Sequence, residues 1–169
     1  MLNRGLFYRV DLVETRSAIG DMMKLCTMAT ANQRAIDPAL FQWPSTSPAL
    51  LASRCTHCAA VSFPASSHCT ACGCADVTVE ELPRRGTLWA WTIQRFMPKT
   101  PYHSSETGET FVPFGMGYIE LPGALRIESR LLQNDPLRLT IGSPMELAFY
   151  VHRTEPDGTE VINYAFTSA

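Results

Sequence analysis

The sequence predicts a mainly β protein in which a small metal-bound unit precedes a closed barrel. Two observations carry this. Four cysteines recur as two CxxC pairs, Cys55 with Cys58 and Cys69 with Cys72, separated by ten residues. Beyond Cys74 the apolar period changes to two, and five long strand-like stretches follow in series with turn residues between them.

Composition bounds the rest. The chain has 169 residues, enough for one ordinary domain or two small ones, and 46% of them are hydrophobic, which supports a packed core. Only 18% are charged, as expected where a partner covers part of the surface. The net charge of −2 and pI near 6.1 give no basic field, so nucleic acid is not the expected partner. No apolar run is long enough for a membrane span. Asp11, Glu14, Arg16 and Asp21 interrupt any signal-peptide core, so a cytoplasmic protein is expected. In a reducing compartment, closely spaced cysteines read as metal ligands rather than disulfides.

Four segments follow from the pattern. Residues 1–34 read as an N-terminal extension, helical or disordered, with Met22, Met23 and Met28 as alternative starts. Residues 35–54 read as short helices. Asp37-Pro38 and Ser47-Pro48 each offer a capping side chain followed by proline at the first helical position. Residues 55–76 form the cysteine unit and 77–169 the barrel. Within the barrel, strands are expected over 86–96, 114–121, 124–133, 145–153 and 160–167. Pro122-Gly123 and Glu155-Pro156-Asp157-Gly158 serve as turns. A five-stranded, all-antiparallel unit of this size points to a Greek-key barrel of the OB type.

Each CxxC places two thiolates on one tight turn, and two such knuckles close a tetrahedron around one ion at Zn–S distances of about 2.3 Å. Cys55, Cys58, Cys69 and Cys72 leave no open position, so the metal is expected to be structural zinc, with iron possible on the same sulfur set. Such a site contributes roughly 10–16 kcal/mol of apparent binding free energy, enough to fold a segment with little core of its own. Gly73 suits the bend after the second knuckle, and Ala59 stands in the matching place after the first. Cys74 and His57 are poorer ligands by spacing.

No GxSxG, P-loop, HExxH or GxGxxG is present. His103, beside Tyr102 in the polar 97–112 loop, is the one histidine around which a site could be built. Alternation along Gly86 to Phe96 puts Trp89 and Trp91 on one strand face and Leu88 and Ala90 on the other. The two tryptophans read either as core or as a platform for stacking bases. Leu40, Phe41 and Trp43 are an aromatic and aliphatic cluster of the kind that anchors interfaces, or else they pack back on the barrel.

Taken in order, CxxC, SFPASSHCTACG, Leu82-Pro83-Arg84-Arg85-Gly86-Thr87, an aromatic-rich strand and Ile141-Gly142-Ser143-Pro144-Met145-Glu146-Leu147 resemble the acyl-CoA-associated zinc-ribbon OB-fold family over roughly residues 35–168. The resemblance implies a rubredoxin-like zinc ribbon with short N-terminal helices followed by a five-stranded OB-fold barrel. It also implies a non-catalytic accessory subunit of a thiolase-like enzyme, either thiolase or aldolase, in lipid, steroid or aromatic metabolism. A hotdog-fold enoyl-CoA hydratase is the alternative partner, and a nucleic-acid-binding module the alternative class. On this reading Cys55, Cys58, Cys69 and Cys72 hold zinc. Arg95, Lys99, Tyr102 and His103 are candidates for meeting acyl-CoA, and Leu40, Phe41 and Trp43 for meeting the partner.

Overall fold

The computed structural model describes residues 32–100, 102 and 106–169. The expectations for residues 1–31 and for His103 therefore lie outside the described residues. Among the described residues, nine strands make two sheets: β1 (Gln33–Ala35), β2 (Leu51–Cys55), β3 (Val61–Ser62), β4 (Val77–Glu81), β5 (Arg85–Gln94), β6 (Phe114–Glu120), β7 (Arg126–Leu131), β8 (Pro144–Thr154) and β9 (Glu160–Ser168). A short three-stranded sheet runs β3-β2-β4, and a six-stranded one runs β1-β9-β7-β6-β5-β8 and closes through β9–β8. No helix among the described residues is long and apolar enough to cross a membrane.

The barrel strands fall where period-two alternation puts them. β5 pairs antiparallel with β6 and β8, β6 with β7, and β8 with β9. One pair departs from the all-antiparallel expectation: β7 and β9 run parallel, with Arg130 opposite Ala165 and Leu131 opposite Phe166. β8 intervenes between them in sequence, so β9 returns in the direction of β7 and the ring of five closes only by a parallel seam. Inside it, Leu88, Ile119, Leu131, Met145 and Phe166 are completely buried or nearly so. Burial of such side chains contributes roughly 1.5–3 kcal/mol each. Gly117 faces this core from β6, where a Cβ would lie 2.8 Å from the Ala90 carbonyl oxygen and 3.1 Å from Leu131 Cδ1.

The short helices expected over 35–54 do not form. Residues 33–35 make β1, paired parallel to β9, and Phe41 bridges Leu50. Asp37 does cap, but only a single turn: its carboxylate accepts from Ala39 N at 2.8 Å and its carbonyl from Leu40 N at 3.1 Å. The chain then passes Pro44 and Pro48, which cannot donate to a helical ladder. Leu51 N instead donates to the Leu40 carbonyl. The cluster of Leu40, Phe41 and Trp43 is turned inward. Phe41 is 0% exposed and packs on Phe149 with ring centroids 5.0 Å apart, and Trp43 lies 5.3 Å from the same ring. Phe41 is thus barrel core and not an interface anchor, because the arm that carries it has no helix of its own on which to display it.

A second correction concerns the tryptophans. The β5–β6 register slips between Leu88 and Ala90, leaving Trp89 as the extra residue of a bulge. Parity therefore inverts. Trp91 and Ile93 pack on the core with Leu88, and Trp89 alone is turned out, 46% exposed, edge-on to Tyr118 and beneath the Arg126 guanidinium.

Candidate metal centre

Cys55 ends β2, and its backbone enters a turn in which Ala59 N donates to the Cys55 carbonyl at 3.0 Å. The second turn repeats the contact, with Gly73 N donating to the Cys69 carbonyl at 2.9 Å. Both closing residues adopt the left-handed region, Ala59 at φ 60° and Gly73 at φ 75°. Only glycine does so without a side-chain penalty, so Ala59 holds about 1–2 kcal/mol of strain that Gly73 avoids.

The two turns face one another. Cys55 Sγ lies 3.7 Å from Cys72 Sγ, Cys58 Sγ lies 3.6 Å from Cys69 Sγ, and all four sulfurs fall within 4.8 Å of one another. A tetrahedron of sulfurs about 2.3 Å from a central ion has edges of about 3.8 Å, close to the two inter-knuckle distances, so the set fits zinc. Cys55 and Cys69 are buried while Cys58 and Cys72 are exposed, so each knuckle gives one inner and one outer ligand.

Backbone amides prepare the inner pair to ionise. The N–H groups of Cys72 and Ala71 hold the Cys69 thiol down to about 6, and those of Cys58 and His57 lower Cys55. Cys72 is pulled down by the Cys74 N–H, but the neighbouring sulfurs of Cys58 and Cys69 push it up to about 12. Four crowded thiols cannot all be anions unless a cation sits among them, which is the chemistry of a closed zinc site. The four cysteines form a structural zinc centre and, with no open position, activate no water.

Ala52, Val61 and Phe63 pack the surrounding ribbon on the core, and polar contacts tie it further. Arg54 on β2 forms a two-pronged pair with Glu80 on β4 at 2.7 and 2.8 Å, and reaches the Ala59 carbonyl at 3.3 Å. Cys74 donates no ligand; its carbonyl accepts from Cys69 N at 2.8 Å. His57, inside the first knuckle, is exposed and is not among the four clustered ligands.

The other predicted residues scatter. Arg95 and Lys99 are exposed on the loop after β5. Tyr102 is half-buried and edge-on to His152, with centroids 6.0 Å apart. It lines a cleft of about 570 Å³ whose floor includes Phe114, Arg130 and Tyr150. Neither Arg95 nor Lys99 lines that cleft. Those floor residues come from β6, β7 and β8, and no spacing in the chain marks them as neighbours.

Comparison with known proteins matches this architecture in two pieces. The model described as the ChsH2 rubredoxin-like zinc ribbon domain matches residues 46–78, and that described as the ChsH2 C-terminal OB-fold domain matches 79–150. The chain belongs to the ChsH2 family. A second member-like sequence, the benzoylsuccinyl-CoA thiolase subunit BbsA of Thauera aromatica, is 31% identical over 134 residues, covering 76% of this chain and 84% of that one. Among solved structures, a chain of the Ltp2-ChsH2(DUF35) aldolase shares the fold with a TM-score of 0.53 at 20% identity, covering 71% of this chain and 84% of its own. The ribbon and barrel described above are the two domains that the ChsH2 family models name.

Proposed function

We propose that this protein is a non-catalytic accessory subunit of a thiolase-like, acyl-CoA-processing enzyme, stabilising its catalytic partner and shaping the acyl-CoA site. The observation that carries this reading is the 31% identity, over most of both chains, to a protein described as a thiolase subunit. Shared fold with a chain of an aldolase complex agrees with it. The chemistry agrees too, because the metal centre is closed and supplies no reactive position.

On this reading the ribbon docks on the partner, and the half-buried Leu40 and Trp43 contribute the apolar rim left beside it. The barrel and the 97–112 loop border the acyl-CoA channel. Arg95 and Lys99 meet phosphates, with Tyr102 and His103 beside them. The test is reconstitution. Co-expressed with a thiolase-like chain from the same source, this protein should co-purify with it and restore turnover of an acyl-CoA thioester that neither chain achieves alone. Turnover by this chain alone would overturn the non-catalytic reading. An unchanged KM in the Arg95→Ala/Lys99→Ala double variant would remove the phosphate contact.

A further inference from the structure

Register places one set of side chains on the barrel face that the core does not use. Met116 lies opposite Arg130, Arg130 opposite Ala165, and Tyr150 opposite Asn163, so these residues share a face across β6, β7, β9 and β8. Their neighbours Leu131, Leu147 and Phe166 point the other way into the core. On OB folds the face of the second and third barrel strands, here β6 and β7, is the one that receives ligands. Pro98 and Tyr102, after β5, line one side of this open cleft of about 570 Å³. That volume lies in the range of small-molecule sites.

Arg130 is the distinctive group. Its guanidinium lies 4.2 Å from the Phe114 ring centroid and 5.0 Å from that of Tyr150. Among the described residues, Arg34, Arg54, Arg85, Arg126 and Arg153 each pair with a glutamate, whereas Arg130 meets two rings and the Tyr150 hydroxyl, with no carboxylate ion-paired to it. Glu128 borders the cleft, but its carboxylate accepts from Tyr118 at 3.3 Å and its carbonyl from Tyr164 Oη at 3.1 Å. Arg153, also at the rim, is held by Glu155 at 3.3 Å. A half-buried cation without a counter-charge is costly, and an anion offsets that cost. The half-buried Tyr150 and Tyr102, which also line the cleft, present aromatic surface for stacking.

We propose that this cleft binds a planar-ring organic anion, with its carboxylate or phosphate on Arg130 and its ring against Tyr150 and Tyr102. The inference goes beyond the accessory-subunit reading and does not depend on it, so the zinc-loaded full chain alone serves for the test. Benzoate and adenosine monophosphate are the two probes, with benzylamine and inorganic phosphate as controls, all followed by calorimetry. At least one ring anion should bind with Kd of about 0.1–1 mM. Benzoate alone would identify an organic acid as the source, and the nucleotide alone a nucleotide. Arg130→Gln should weaken binding about tenfold or more. Met116→Glu, which sets a carboxylate opposite Arg130 while leaving both rings, should do the same and guards against misfolding of the first variant. Binding that survives both changes, benzylamine binding as tightly as benzoate, inorganic phosphate matching the nucleotide, or no binding of either ring anion would each overturn the proposal.

Discussion

The ribbon and the barrel reach a fixed shape by opposite means. In the barrel, Leu88, Ile119, Leu131, Met145 and Phe166 are fully buried or nearly so, and five strands close a ring around them. In the ribbon, β3 and β4 have no buried residue, and Val79 stands 64% exposed. Beyond Ala52, Val61 and Phe63 packed toward the barrel core, what orders the ribbon is four sulfurs, the Arg54–Glu80 pair and backbone hydrogen bonds at the two turns. A metal can thus replace a core over a short segment, while a five-stranded barrel needs its apolar interior.

Zinc removal should divide the molecule most sharply. Chelation, or Cys69→Ser, should abolish amide-exchange protection over 51–81, while 86–94, 145–151 and 161–167 stay protected. The expected loss approaches the roughly 10–16 kcal/mol of a structural zinc site. Simultaneous loss of protection throughout the barrel would break the comparison. Next in size is Phe41→Ala, expected to cost about 3–5 kcal/mol and to lower the unfolding midpoint of the barrel although residue 41 lies ahead of the ribbon in sequence. An effect confined to the ribbon would contradict the placement of Phe41 against Phe149. Gly117→Ala should cost about 1–3 kcal/mol in urea titration of the barrel, because the added methyl meets the Ala90 carbonyl.

Ala59→Gly should go the other way. Relief of the left-handed strain, less the extra entropy of glycine in the unfolded chain, leaves up to about 1 kcal/mol of gain. Competition with a zinc chelator would read it as a few-fold tighter site. The smallest effect belongs to Glu155. The Arg34 guanidinium, at 2.5 Å, holds its carboxyl below the ordinary value of 4.5. A depressed carboxylate pKa adds stability above the unfolded value that disappears as pH falls through the folded one. The slope of melting temperature below about pH 4.5 should therefore be shallower in Glu155→Gln, whereas an unchanged slope would detach β1 from this pair.

The cysteines were legible because ligand spacing is local: each pair sits on one turn, and the turn dictates the geometry. Strand extents were legible because alternation is local too. What could not be read is everything set by register. Trp89 and Trp91 share a parity in sequence, and a single bulged residue separates them in space. Asp37-Pro38 is a good helix start followed by a stretch that prolines prevent from continuing, so a single turn survives. Arg130 is invisible as a site residue because its meaning comes from Phe114 and Tyr150 on other strands.

The path of the chain into and out of the ribbon has a mechanical result. On entry, β1 is laced to β9 and Phe41 is sunk in the barrel. On exit, Leu82 N bonds the Leu50 carbonyl, Arg84 donates to the Pro48 carbonyl, and Leu147 N bonds the Arg84 carbonyl. The metal knob is therefore mounted at two points, not hung from one, and cannot swivel about either strand alone. Any surface it offers is aimed in a fixed direction relative to the cleft between β6 and β8, so whatever seats on the knob meets the barrel face at a predetermined angle.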